Sequence, residues 1–247
     1  DRIYTGTTTD FDLDTNDFCY EGYFYVPTSH TFASYSRLMG LGVYYNNPKS
    51  LGIMSQDGDQ SNYITVYWGD GGNNAARKLI SSQLFEKGQW NHVACVRKGG
   101  EIALYYNGSR IAYNGSYGTS TDIGGGATYA FIGHTGNGTE GTQMYFRDVR
   151  LVNGSSVYEP SDSDISVPTS TLTNITNTKL LVGSLPYITD ASSSNQSLTL
   201  SSVAGTRRFS PYDYTQYTKA GYGGSVYFDG SGDYLSTAAS ANTVITT

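Results

Sequence analysis

Two groups of aspartates have the residue type and close spacing of calcium ligands. Asp57 and Asp59 flank a glycine, while Asp10, Asp12 and Asp14 alternate along a second short stretch. Calcium prefers hard oxygen ligands, so carboxylates this close together could share one ion. In the second stretch a threonine stands where a calcium loop needs glycine at its sixth position. Calcium at Asp57 and Asp59 is therefore the cofactor candidate, and solvated turn aspartates are the alternative for both stretches.

The remaining ionisable residues show no catalytic spacing. Retaining glycoside hydrolysis uses two carboxyl groups about 5 Å apart, and the glutamates are scattered: Glu21, Glu86, Glu101, Glu140 and Glu159. The histidines lack metal-ligand spacing and have no nucleophile motif beside them: His30, His92 and His134. We expect His92 to pack or hydrogen-bond within its strand. The sequence therefore predicts a protein that is not an enzyme and that has no catalytic residues.

Composition and charge narrow the class of protein. The formal net charge is −6, with 15 Lys and Arg scattered among 21 Asp and Glu. Nucleic-acid binding depends on clustered basic residues, so we exclude it. No apolar run approaches the roughly 18 residues of a membrane span. The chain starts without Met or a signal peptide, and we interpret it as a processed form or a piece of an exported polypeptide.

Short strands separated by turn residues predict an all-β fold. The 30 Gly and 23 Tyr suit tight turns and pleated surfaces. Asn107-Gly108 between two apolar runs predicts a hairpin with a type I′ turn. Between residues 17 and 152 the candidate strands are Phe18 to Val26, Arg37 to Tyr45, Leu51 to Ser55, Tyr63 to Trp68, Gln89 to Arg97, Ile102 to Tyr106, Ser109 to Tyr113, Ala127 to Gly133 and Met144 to Leu151. Apolar residues from Asn74 to Phe85 fall at roughly helical spacing, so one short helix in that stretch is an alternative.

The two cysteines, Cys19 and Cys95, each lie in the middle of a predicted strand. Small buried thiols are the favoured interpretation, because free cysteine is among the most buried residue types. A disulfide stays open, since it requires Cα atoms within about 7 Å of each other.

Several stretches resemble the laminin G type of concanavalin A-like jelly roll, as found in bacterial surface and phage structural proteins. Trp90 to Gly108, WNHVACVRKGGEIALYYNG, is similar to the central hairpin of that family, and Phe146 to Gly154 to its closing strand. Ile175 to Leu181 and Phe228 to Leu235 are similar to its opening segment. The resemblance implies a sandwich of two antiparallel sheets. It also argues against a glycanase, because the Glu-x-Asp-x-x-Glu strand expected of such enzymes is missing.

The order of these stretches along the chain is rotated relative to the family. We therefore expect a single jelly-roll unit over residues 1–247, with a body at 1–152 that lacks its opening strands. Residues 153–177 are a linker, and residues 178–247 supply opening strands to their own body or to a neighbouring one. The candidate assembly residues, expected to be buried against a body, are Val226, Phe228, Tyr234 and Leu235.

This organisation predicts a non-enzymatic structural module of an extracellular filament or virion fibre. Exposed sheet edges pair with any extended segment available. If each copy supplies a strand to the next, the copies form a filament that grows head to tail. The partners would be other copies of the chain. The alternative is a calcium-dependent, lectin-like adhesion module that binds carbohydrate. Glycosylation is a further expectation for an exported chain at six sequons: Asn107, Asn114, Asn137, Asn153, Asn174 and Asn195.

Overall fold

The computed structural model describes residues 2–42, 50–55, 63–69, 77–123, 125–133, 141–201, 205–207 and 209–212. Within them the chain forms thirteen strands and one short 3₁₀ turn, Thr9–Phe11. The strands are β1 Arg2–Thr5, β2 Phe18–Tyr25, β3 Arg37–Leu41, β4 Leu51–Met54, β5 Tyr63–Trp68, β6 Arg77–Leu84, β7 Trp90–Lys98, β8 Glu101–Tyr106, β9 Ser109–Asn114, β10 Ala130–Gly133, β11 Tyr145–Asn153, β12 Thr178–Val182 and β13 Leu198–Ser201.

The strands form two antiparallel sheets. One sheet has seven strands in the order β13-β1-β10-β3-β4-β5-β6, and the other has six in the order β12-β11-β2-β7-β8-β9. Helix accounts for only 2% of the described residues. The predicted all-β, two-sheet antiparallel jelly-roll sandwich is confirmed.

The core lies between the sheets because strand side chains alternate between two faces. In β2, Phe18, Tyr20 and Phe24 point into the main apolar cluster. Cys19 and Glu21 alternate with them, and Cys19 belongs to a second, smaller cluster on the opposite face of the same sheet. Both faces of the six-stranded sheet are therefore covered by protein near β2.

The second face is covered by residues 154–177, which follow β11. Tyr158 and Ile165 of this segment pack against the cluster that contains Cys19. The Ile165 amide donates to the carbonyl of Gly108, and the Arg110 amide donates to that of Ser163, both at 2.8 Å. The segment expected to be a linker thus lies along the sheet and is hydrogen-bonded to its edge.

The region with helical spacing forms a strand instead of a helix. β6 pairs with β5, with Leu79 opposite Val66 and Ile80 opposite Thr65. This pairing satisfies the backbone groups of β5 on that side, and it buries Leu79 in the core. The helix considered between Asn74 and Phe85 is therefore wrong over residues 77–84, because sheet pairing overrides a weak local pattern.

The hairpin prediction is confirmed at the turn between β8 and β9. Asn107 and Gly108 have φ angles of 49° and 90°, as a type I′ turn requires of both central residues. The side-chain oxygen of Asn107 also accepts a hydrogen bond from the His92 amide at 2.8 Å. The turn is thereby joined to β7, which lies beside β8 in the sheet.

Two strands from the C-terminal part of the chain complete the sheets. β12 pairs with β11 and forms one edge of the six-stranded sheet, and β13 pairs with β1 and forms one edge of the seven-stranded sheet. Both pairings lie within the chain. The assembly candidates lie outside the described residues: Val226, Phe228, Tyr234 and Leu235. In the part of the chain that is described, no helix is long and apolar enough to cross a membrane.

Candidate functional site

A cleft of about 700 Å³ opens at one end of the sandwich. Arg2 at the start of β1 and Ile132 near the end of β10 line it from the seven-stranded sheet. The residues that begin β11 and those that follow β12 line it from the six-stranded sheet. Its volume lies within the roughly 300–1,000 Å³ typical of small-molecule sites. The cleft is therefore large enough for a few sugar rings.

Aromatic rings form part of the cleft wall. Tyr145 is 41% exposed and Tyr187 is 60% exposed, and both line the cleft. Phe209 also lines it and packs edge-on against Tyr145, with ring centroids 5.1 Å apart. A sugar ring has apolar C–H faces that can pack against exposed aromatic rings, while its hydroxyl groups bond to nearby polar atoms.

Three polar atoms of the lining are buried and lack a hydrogen-bond partner. They are Nε2 of His30, Oγ1 of Thr142 and Nε of Arg147. Burial and then the nearby charge of Lys87 lower the pKa of His30, so its ring is neutral at physiological pH. Since most buried polar groups in proteins are paired, unpaired ones gathered in one cleft call for an explanation. A bound ligand would supply the missing partners.

A second polar cluster lies on the covered face of the six-stranded sheet, centred on the fully buried Glu21. Arg150, opposite Glu21 on β11, donates from Nε at 3.1 Å and from Nη2 at 2.6 Å to Oε1. His92 Nε2 and the hydroxyl of Tyr158 lie 3.1 Å and 3.0 Å from Oε2. His92 is buried and packs against the ring of Tyr23, with centroids 4.9 Å apart, which is one of the two expectations for it, while its side-chain hydrogen bond reaches the neighbouring strand and not its own.

The charge of Glu21 is held inside the protein by these donors. Burial alone would raise its pKa, but hydrogen bonding and charge from His92 and Arg150 outweigh it and bring the pKa down to about 2. Its side chain is 0% exposed, so a substrate has no access to it. A catalytic acid needs both access and a proton to give. Glu21 has neither.

The cysteines are both free and buried, as the favoured interpretation predicted. Cys19 lies beside Glu21, and burial followed by the Glu21 charge raises the pKa of its thiol. Burial also raises the pKa of Cys95. Thiols in this state are unreactive.

The aspartates proposed for calcium divide into two cases. Asp57 and Asp59 lie outside the described residues. The Asp10 carboxylate pairs with Lys179 at 3.1 Å and accepts from Gln196 at 2.7 Å, and Asp12 accepts from the Gly126 amide at 2.6 Å. No group of three acidic, histidine or cysteine side chains fit to hold a metal occurs among the described residues. The carboxylates of Asp10 and Asp12 are therefore bonded to donor groups of the protein itself.

The sequons lie in different surroundings. Asn107, Asn114, Asn174 and Asn195 are exposed, and Asn137 lies outside the described residues. Asn153 is buried, and its Nδ2 donates to the carbonyls of Asp10 and Asp12 at 3.0 and 2.9 Å. Attaching a glycan to Asn153 would replace one of the two Nδ2 hydrogens and so break at least one of these bonds.

Sequence reasoning missed the cleft, because its lining comes from segments far apart in the chain. Arg2, His30, Thr142 and Tyr187 meet only when the two sheets pack. The one local signal is Tyr187, an aromatic residue that follows Pro186 in a bend.

A family model of laminin G type, described as the concanavalin A-like lectin/glucanases superfamily, matches residues 4–157. No curated protein matches the sequence. Among solved structures, a Bacteroides ovatus protein with a proposed role in carbohydrate binding is 18% identical, with a TM-score of 0.50 over 79% of this chain and 55% of that one. Domains LG4-5 of the mouse laminin α1 chain are 13% identical, with a TM-score of 0.45 over 68% of this chain and 42% of that one. The enzymatically active domain of bacteriophage CBA120 tailspike protein 2 is 18% identical, with a TM-score of 0.45 over 63% of this chain and 24% of that one.

Proposed function

Because the chain belongs to the concanavalin A-like lectin/glucanases superfamily, whose model matches more than half of it, we propose that it is a non-enzymatic carbohydrate-binding module. The cleft carries this proposal. It combines exposed aromatic rings with buried polar atoms that have no partner in the protein. Sugars present both kinds of surface, apolar ring faces and hydroxyl groups. The setting, an extracellular filament or a virion surface, is proposed on the sequence resemblance alone.

The surroundings of Glu21 support a module without catalysis. Its carboxylate is ionised, inaccessible and bonded to Arg150, His92 and Tyr158. Glycoside hydrolysis needs two accessible carboxyl groups, one of them protonated as the acid. Incubation with β-glucans and galactans should release no reducing sugar. Turnover lost on changing any one of the five glutamates would overturn this part of the proposal.

The binding test is titration calorimetry with oligosaccharides selected on a glycan array. Tyr187→Ala removes a ring that is 60% exposed, so the fold should stay intact while affinity falls by about tenfold or more. Tyr113→Ala is the matched control, because Tyr113 is an exposed tyrosine on β9 that does not line the cleft. Equal affinities for the two variants, or no glycan bound by the unchanged chain, would refute carbohydrate binding at the cleft.

Calcium dependence is a separate part of the proposal and rests on Asp57 and Asp59. Removing calcium with a chelator should weaken glycan binding, and adding calcium back should restore it. The Asp57→Asn, Asp59→Asn double variant should bind equally with and without calcium. Chelation without effect would leave a calcium-independent module.

A second candidate function is assembly of a filament by strand donation. It is favoured because residues 178–201 supply an edge strand to each sheet, β12 to one and β13 to the other. A segment that completes two sheets in its own chain could do so in a neighbour, as in domain swapping. Deleting residues 224–247, which hold the assembly candidates, should leave soluble subunits that no longer polymerise. Normal assembly of the truncated chain in electron micrographs would refute this candidate.

A further inference from the structure

The charge in the cleft is opposite to the charge of the chain. The whole protein carries a net charge of −6. The described residues that line the cleft include three arginines, Arg2, Arg147 and Arg207, and no aspartate or glutamate. A cationic cleft in an acidic protein is selective for anions, because like charges elsewhere on the surface repel them.

Arg147 is the arginine best placed to bind a ligand. Its Nε is buried without a hydrogen-bond partner. Its Nη2 donates to Thr171 Oγ1 at 3.3 Å, and within the described part of the chain the guanidinium makes no other hydrogen bond, so most of its five donors face no described partner. Its guanidinium also lies 5.9 Å from the ring centroid of Tyr212, and this contact restrains the side chain.

The nearest acidic neighbour in the chain, Asp148, does not bond to Arg147. Its Oδ2 accepts from the Leu172 amide at 3.2 Å and from the Tyr212 hydroxyl. Asp148 is itself buried and does not line the cleft. The negative charge of Asp148 partly offsets the positive charge of Arg147, but its carboxylate accepts no hydrogen bond from the Arg147 guanidinium.

Two other groups add to this anion-binding character. Arg207 is exposed, and its side chain donates from Nη1 to the carbonyl of Thr206 at 3.1 Å. Thr142 is only 8% exposed and lines the same cleft with an unpartnered hydroxyl. A guanidinium and a hydroxyl together provide charged and neutral donors for an acidic group.

We propose that the module binds acidic carbohydrate, with a sugar carboxylate at Arg147 and the sugar ring against Tyr145 and Tyr187. This rests on the proposed carbohydrate-binding function and deepens it. The planar guanidinium fork matches a carboxylate with two parallel hydrogen bonds. A neutral sugar would leave the cationic charge of the cleft uncompensated.

The test compares two forms of one polymer. Oligogalacturonate with free carboxylates and the same oligomer as its methyl ester share a backbone and differ in charge. Binding of the free acid at least about tenfold tighter than the ester supports the inference. Equal binding overturns the inference and leaves the proposed function standing, whereas no binding of any glycan refutes the proposed function itself.

Two further pairs identify the kind of acid. Sialyllactose and lactose differ by one sugar that carries a carboxylate of another geometry, and dextran sulfate and dextran differ by sulfate. Preference for any carboxylated member over its neutral partner supports the carboxylate assignment. Binding of dextran sulfate without any carboxylated glycan would overturn it.

Substitutions at Arg147 and Arg207 locate the anion. Arg147→Gln should lower affinity for the acidic oligomer about tenfold or more and leave affinity for the ester unchanged, while Arg147→Lys keeps the charge and should recover part of the loss. Arg207→Gln changes an exposed side chain, so a smaller loss there cannot be attributed to misfolding. Lys98→Gln is the charge-matched control. Lys98 and Trp90 lie at opposite ends of β7, and it is Trp90 that packs against Phe209 of the cleft wall. If Lys98→Gln lowers affinity as much as the two arginine variants do, the anion is not bound in the cleft.

Discussion

The Glu21 cluster and the cleft contain similar polar groups in opposite states. At Glu21, donors from Arg150, His92 and Tyr158 fill both carboxylate oxygens. In the cleft, Thr142 and Arg147 each keep a buried polar atom without a partner. Burying a polar group without a hydrogen bond costs roughly 1–3 kcal/mol. The protein avoids that cost at the Glu21 carboxylate, although Nδ1 of His92 in the same cluster is also buried without a partner, and it retains the cost at both residues of the cleft.

This difference separates a structural role from a binding role. The Glu21 carboxylate is hydrogen-bonded at both oxygens and fully buried, so it makes its surroundings rigid and is not accessible to a ligand. Unsatisfied atoms destabilise the free protein and gain partners when a ligand arrives. Changes in the Glu21 cluster should therefore affect stability alone, whereas changes in the cleft should affect binding and leave stability equal or higher.

The largest expected effect is on stability, from Glu21→Gln. The neutral amide would leave the buried guanidinium of Arg150 without its counter-charge. Removing one partner of a buried ion pair typically costs about 3–5 kcal/mol, and we expect an effect of that size in chemical denaturation. Glycan affinity of the folded variant should not change.

The control for this prediction is Glu159→Gln. Glu159 pairs with Lys98, and both side chains are about half exposed, so water replaces the lost contact. Its unfolding free energy should match that of the unchanged chain. Equal effects of the two substitutions would mean that the Glu21 cluster is not a closed network.

Acid should remove most of the same stabilisation. The pKa of Glu21 is lowered from its ordinary 4.5 to about 2 in the folded chain, so its contribution is fully present above about pH 4.5 and is lost as pH falls toward 2. Linkage makes this contribution on the order of 3 kcal/mol. The difference in unfolding free energy between the unchanged chain and Glu21→Gln should therefore shrink from pH 5 to pH 3. A difference that stays constant over this range would contradict the low pKa.

Tyr158→Phe should have a smaller effect on stability. It removes one donor to Glu21 Oε2, at 3.0 Å, and leaves the ring packed on the sheet. A hydrogen bond to a charged group contributes roughly 1.5–3 kcal/mol. Tyr113→Phe is the matched control, since that hydroxyl bonds Glu101 at 2.7 Å on an exposed surface. Thermal unfolding that shifts equally for both would show that residues 154–177 do not seal the cluster.

Local pattern predicted the fold because most strands are marked by local features. Turn residues bound the strands, and Asn107-Gly108 takes the positive φ angles that its type I′ turn requires. Local pattern failed at β6, where only pairing with β5 decides between strand and helix. It also missed β1, a four-residue strand whose partners, β10 and β13, lie more than 120 residues away.

Neither polar site could be predicted in the same way. Glu21 and Arg150 are 129 residues apart in the chain, and their pairing depends on the register of β2 against β11. Thr142 resembles any other loop threonine until two sheets enclose it. The distinction between satisfied and unsatisfied polar atoms exists only in three dimensions, so single residues could be named from the sequence but not their roles.

The smallest stability effect, and the most discriminating one, is expected from Thr142→Val. Valine keeps the shape of threonine and removes the hydroxyl that is buried without a partner, so the unfolding free energy should stay equal or rise by up to about 1 kcal/mol. Affinity for the glycan should fall, because the cleft loses a hydroxyl group that would bond to the ligand. Thr65→Val is the control: Thr65 is fully buried, and its hydroxyl donates to the Tyr63 carbonyl at 3.2 Å, so that variant should lose stability by about 1 kcal/mol and bind normally. If Thr142→Val loses as much stability as Thr65→Val, its hydroxyl has a partner in the free protein, and the contrast between the cleft and the Glu21 cluster fails at this residue.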